Sequence, residues 1–232
     1  GITFDLVSGT STGGLIAPLV AIDRVDRLRQ IYTETRTKDV LRTNLMGFFR
    51  KALFDSAPLR KLIDDQIEDL DMLRLLYESA CRVFICTVNL QKGRTEYWSQ
   101  HPDPPERASR NASVVHHICS EETLAACLVG SSNQPIFMPP VEIEADGDTD
   151  QHLDGGLREI APLKVVADHG AERVFSIVLC PHEVKPTEES YSWLAPIGLR
   201  AIDLMTQEIL QNDLKRADEL NELLSYLDTL EQ

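Results

Sequence analysis

The 232-residue chain has no run of 18 or more apolar residues, so no segment reads as a membrane-spanning helix. Cysteine is sparse. Cys81, Cys86, Cys119, Cys127 and Cys180 make an odd number without a Cys-x-x-Cys pair, which argues against a disulfide framework and a zinc ribbon. Reduced, mostly buried thiols in a cytoplasm-like compartment are the expectation. Positive charge is also short. With 23 Lys/Arg against 37 Asp/Glu and a net charge of −14, the chain lacks the basic surface a nucleic-acid partner needs. The opening Gly1-Ile2-Thr3-Phe4-Asp5 has neither a basic region nor a long apolar stretch, so no secretory leader is visible there. An initiator Met is missing too, and a strand follows almost at once. The true N-terminus is therefore expected upstream.

What is present suits one large soluble domain, with 43% apolar and 26% charged residues. Phe4-Asp5-Leu6-Val7 reads as the end of a buried strand, and residues 15–22 read as a helix with Pro18 near its first turn. A polar helix is expected over 25–33, and a helix from 57 with Ser56 as its cap. The β-branched, apolar run 82–90 predicts a strand, which turns at Gln91-Lys92-Gly93 into a return strand. A short helix is expected over 121–128 with Ser120 as cap, irregular chain over 136–143, and a buried strand over 174–179. From about Pro196 onward the pattern is helical, and its acidic end reads as a solvated amphipathic helix. Strands apolar on both faces, alternating with helices, predict a three-layer α/β/α sandwich around a central, mostly parallel sheet.

One short motif carries chemistry. Gly9-Thr10-Ser11-Thr12-Gly13 is a G-x-S-x-G pattern, and it sits between a predicted strand and a predicted helix. An alcohol is a poor nucleophile unless it is exposed and activated. Small residues allow the sharp strand-to-helix turn that holds Ser11 at its tip. The following helix points its free N–H groups at the site, with Thr12 as the first oxyanion donor. The bare pattern arises by chance in roughly one chain in ten of this length, so context matters. A glycine-rich structural turn or phosphate loop is the other reading, but the Gly-Lys-Ser/Thr ending of a Walker loop is missing.

A second element, Asp154-Gly155-Gly156, lies far downstream. Three segments, Phe4 to Gly14, Pro135-Ile136-Phe137-Met138-Pro139-Pro140, and Asp154 to Leu163, together resemble the patatin-like phospholipase family in content and order. The resemblance implies a patatin-like hydrolase domain over 1–232 that cleaves lipid esters through an acyl-enzyme, without metal or organic cofactor. It implies a serine–aspartate dyad of Ser11 and Asp154, with Gly9, Gly13, Gly155 and Gly156 shaping the backbone around them. A buried aspartate beside a serine hydroxyl should gain proton affinity and could act as the base. The family also carries a glycine-rich oxyanion loop and a strand before the nucleophile. The sequence begins too late to contain them, so the domain is expected to lack both.

Other constellations leave alternatives. A Ser–His–Asp esterase would need its histidine after the acid, which leaves His169 or His182. A lipid-binding member without activity is a third reading. Residues 24–61 carry ten Lys/Arg against four Asp/Glu, reversing the charge of the rest. Within them, Phe48, Phe49, Arg50 and Lys51 could touch a lipid surface transiently, placing the protein peripherally at membranes. The plainer alternative is a core-packing helix whose basic side chains snorkel. Asp146-Gly147-Asp148-Thr149-Asp150 fails the calcium-loop template and reads as a solvated turn.

Overall fold

A computed structural model of the chain describes residues 2–40, 42–43, 54–102, 113–179, 186–187 and 190–230. Phe48, Phe49, Arg50 and Lys51 lie outside these residues, as do Cys180 and His182. The chain runs β1 (Leu6–Thr10), α1 (Thr12–Ala21), α2 (Val25–Glu34), α3 (Thr37–Val40), β2 (Arg42–Thr43) and β3 (Phe54–Asp55). Next come α4 (Ala57–Leu70), α5 (Met72–Glu78), β4 (Arg82–Asn89), β5 (Arg94–Ser99), β6 (Val115–His117) and α6 (Glu121–Ser132). The hairpin β7 (Val141–Ala145) and β8 (Asp148–Asp154) leads through a 3-10 turn (Gly155–Leu157) to α7 (Leu163–Asp168) and α8 (Leu194–Leu230).

The apolar run of β4 forms the middle of a six-stranded sheet. One edge of β4 pairs antiparallel with β5, and β6 adds parallel to β5. Two strands share the other edge: β1 lies parallel along residues 82–86, and β8 antiparallel along residues 87–89. The layered class is as the sequence predicts, but the sheet is mixed. Two pairings are parallel and three antiparallel. The reason is turn length, since Asp146-Gly147, both at positive φ, returns the chain in a tight hairpin and a parallel neighbour needs a long crossover.

Helices cover both faces. On one, Ala17 and Leu19 of α1, Ile63 and Ile67 of α4, Leu76 of α5 and Leu124 of α6 bury a single core with Val83, Ile85 and Trp98. On the other, Val165 and Val166 of α7 pack on Phe84, Cys86 and Tyr97. Ser120 caps α6 as expected, its Oγ accepting from Thr123 N at 3.1 Å. Ser56 does not cap α4. Asp55 takes that role by accepting from Ala57 N at 2.9 Å, while the Ser56 hydroxyl faces Asn133 Nδ2 at 3.4 Å.

Beneath α6 the sheet buries a polar cluster. Arg94 Nε and Asn89 Nδ2 donate to Glu96 at 2.7 and 3.1 Å, and His116 Nε2 lies 3.2 Å away. Burial alone would raise the Glu96 pKa, but the contacts with His116, Arg94 and Asn89 prevail and hold it down to about 2. Burial lowers His152, on the same face, to about 4.

The strand expected at 174–179 is not one. The segment is irregular, with Phe175 74% and Ile177 87% exposed. Apolar β-branched composition marks a segment that could pair, but a strand exists only where a neighbour accepts its backbone hydrogen bonds, and none does so among the described residues.

Candidate active site

Two strands end at one place. Cys86 of β4 pairs with Thr10, the last residue of β1, and the next residue, Thr87, pairs with Asp154, the last residue of β8. Because β1 runs parallel to β4 and β8 antiparallel, their C-termini meet on the same edge, and adjacent β4 positions are only about 3.3 Å apart along the strand. The chain leaves the sheet at Ser11 on one side and at Gly155 on the other. Ser11 and Asp154, 143 positions apart in sequence, are thereby neighbours.

Ser11 has φ 56° and ψ −125°, a sparsely populated conformation that costs about 1–3 kcal/mol and persists only where its surroundings impose it. They do so here. Gly14 N donates to Ser11 O at 2.9 Å, and Ser11 N donates to Ser131 Oγ at 3.1 Å. The turn is tight enough that a Cβ on Gly9 would lie 2.0 Å from the Gly13 carbonyl oxygen. Gly13 itself is not required sterically, since a Cβ there would meet nothing within 4 Å. Gly14 is the second constrained position, where a Cβ would fall 2.5 Å from Ser131 Oγ. Thr12 is the first residue of α1, so its N–H belongs to the unpaired donors of that helix terminus.

Asp154 is buried, with 5% exposure. Its Oδ1 accepts from Gly156 N at 2.8 Å, and the Ser11 side chain lies close enough to the carboxylate to favour its ionised form. Burial raises the Asp154 pKa most, the nearby Ser11 hydroxyl and the Gly156 N–H pull it back, and the result is about 6. Gly155 passes so close to β4 that a Cβ would lie 2.6 Å from Cys86 Sγ, which locks the start of the loop against the sheet.

Sequence reasoning missed two further residues, both at the C-terminal end of α6. Ser131 accepts from Ser11 N, and the Asn133 carbonyl accepts from Asp154 N at 3.0 Å. One helix end thus grips both sides of the site. The sequence pattern ends this helix at Leu128, but its last turn extends to Ser132. The only available signal was a polar Ser-Ser-Asn run directly after an apolar helix. His169 lines the same cleft, but its Nδ1 lies 2.7 Å from the Val165 carbonyl of its own helix and its ring packs on Phe84 at 4.7 Å.

The site opens into a cleft of about 1540 Å³, walled by β1, Ile16, Val20, Leu157, Val166 and Ile202. That exceeds the ~300–1,000 Å³ typical of sites for drug-sized ligands. Among the described residues, no group of three or more His, Cys, Asp or Glu is placed to hold a metal ion. No helix among them is long and apolar enough to cross a membrane.

Over 165 residues the chain is 28% identical to a protein of Vibrio cholerae serotype O1 (strain ATCC 39315 / El Tor Inaba N16961) named a cGAMP-activated phospholipase. The match covers 66% of this chain and 42% of that relative, so the chain spans less than half the length of the protein it resembles. The family model for patatin-like phospholipases matches residues 1–167, a stretch that holds both motifs and both sides of the site. The chain belongs to the patatin-like phospholipase family.

Proposed function

We propose that the protein hydrolyses carboxylic ester bonds of phospholipids or related lipids, with Ser11 as nucleophile and Asp154 as its base. The observation that carries this reading is the juxtaposition of Ser11, held in a strained strand-to-helix turn, with the buried carboxylate of Asp154, the two leaving the sheet beside adjacent positions of β4. Burial raises the pKa of that carboxylate to about 6. An aspartate at that value is ionised at neutral pH, yet is a better proton acceptor than one in water. In the reaction, Ser11 Oγ attacks the acyl carbonyl carbon as its proton passes to Asp154. The tetrahedral oxyanion forms near the N-terminus of α1, where the Thr12 N–H and the helix dipole favour negative charge. Collapse expels the alcohol, which takes the proton from Asp154, and leaves an acyl-Ser11 ester. Water, deprotonated by Asp154, then releases the fatty acid and restores the serine. The apolar walls of the cleft suit an acyl chain, and the 48–51 segment supplies the lipid-surface contact.

Fatty-acid release from phosphatidylcholine vesicles and turnover of a short-chain nitrophenyl ester test the proposal together. Ser11→Ala should reduce both by at least ~10³-fold, the scale of losing an activated nucleophile. Mass spectrometry of a quenched reaction should find the acyl group on the Ser11 peptide. Undiminished release by Ser11→Ala, or no hydrolysis of either substrate by the wild type, would contradict it.

A further inference from the structure

We infer that Asp213, on the long helix α8, is a positioning residue that holds the Asp154 loop in register with Ser11; the inference rests on the hydrolase reading above. Helix α8 lies outside the segment matched by the family model. At 37 residues it is about 55 Å long, and most of it is exposed. The part that touches the domain does so at the site. Leu210 is buried, and one turn later the Asp213 carboxylate accepts from two successive backbone amides, Ile160 N at 3.0 Å and Ala161 N at 3.2 Å.

Those amides close the loop that starts at Asp154. Between them and the dyad the chain is stiff. The 3-10 turn Gly155–Leu157 is followed by Arg158 N and Glu159 N, both donating to Gly155 O at 3.0 Å. A shift at 160–161 is therefore passed to Gly155 and Gly156, and Gly156 N is the donor that fixes Asp154 Oδ1. The far end of the loop is tied to the nucleophile strand, where Ser8 Oγ donates to Pro162 O at 2.9 Å. Ser8 holds the loop to β1 and Asp213 holds it to α8. Without the carboxylate, two adjacent amides lose their acceptor, and the loop is left with side-chain ties: Ser8 to Pro162 O, Tyr97 to Glu159, and Arg158 to Gly93 O.

The test compares Asp213→Ala, Asp213→Asn and Leu210→Ala with wild type. Leu210→Ala loosens the same helix while keeping the acceptor. Two readouts are used: kcat and KM on a soluble short-chain ester, and amide exchange at Gly156. Asp213→Ala should lower kcat about tenfold with KM within about twofold, as expected for an effect on the chemical step. Asp213→Asn, which keeps an acceptor oxygen, should recover kcat to within about threefold of wild type. Gly156 exchange should rise about tenfold or more in Asp213→Ala and much less in Leu210→Ala. Unchanged Gly156 exchange in Asp213→Ala, or equal kcat and exchange effects from Leu210→Ala, would overturn the inference. A wild type without esterase activity would reject the hydrolase reading, and the exchange comparison would still decide whether Asp213 holds the loop.

Discussion

Replacing Asp154 by Asn should make the protein more stable while removing its activity, and the gain should depend on pH. In the native state the carboxyl holds its proton up to a pKa of about 6, against an ordinary value of 3.8. Between those values the folded chain binds a proton that the unfolded chain has released. Wild-type stability therefore falls as pH rises through that window. A shift of about two pKa units at 1.36 kcal/mol each corresponds to about 3 kcal/mol lost by pH 8. Asn cannot ionise and avoids the loss. Packing differences between Asp and Asn do not change with pH, and the titrations of Glu159 and Glu96 are common to the two proteins, so both cancel when the proteins are compared across pH. Urea unfolding of both proteins at pH 4 and pH 8 measures the quantity wanted. The stability difference in favour of Asp154→Asn should widen by about 2.5 kcal/mol from pH 4 to pH 8, roughly 5–10 °C in Tm for a chain of this size. A difference that stays constant across that range would refute the idea that the site keeps a destabilised carboxylate for its chemistry.

The same pKa sets the acid limb of catalysis. The base must be deprotonated, so kcat/KM on a soluble ester should fall with unit slope below an apparent pKa of about 6, and a flat profile down to pH 4.5 would count against Asp154 as base. The two glycines of the serine motif should behave differently under chemical denaturation. Gly9→Ala, whose Cβ would overlap the Gly13 carbonyl, should lose about 3 kcal/mol, whereas Gly13→Ala, in open space in the first turn of α1, should be neutral or up to ~1 kcal/mol more stable. Exchanging Phe48 and Phe49 for Ser should weaken binding to anionic vesicles several-fold while leaving hydrolysis of a soluble ester within about twofold, and equal losses on both would remove the lipid-contact role.

Legibility in the sequence followed the range of the forces involved. The β4–β5 hairpin and helices α1, α2 and α6 were readable because local patterning decides them. The Ser11 turn was readable because a strand, small residues and a helix must follow one another there. The joining of Ser11 to Asp154 was not a local property. It comes from β1 and β8 sharing one edge of β4, a pairing that no periodicity in either strand specifies. Ser131 and Asn133 were missed for the same reason, since their role depends on where the end of α6 lands. The segment 174–179 failed in the opposite direction: its composition is that of a strand, but composition does not supply a partner. His116 and His152 could be taken for site residues by type, yet their rings sit in the buried cluster around Glu96.

The pairing of Ser11 with Asp154, without a histidine, is the central claim. Its most direct test is fluorophosphonate labelling followed by peptide mapping in the wild type, Asp154→Asn and His169→Ala. Labelling should fall on the Ser11 peptide, drop by at least ~10²-fold in Asp154→Asn, and stay within about twofold of wild type in His169→Ala. Full labelling in Asp154→Asn, or its loss in His169→Ala, would contradict the dyad.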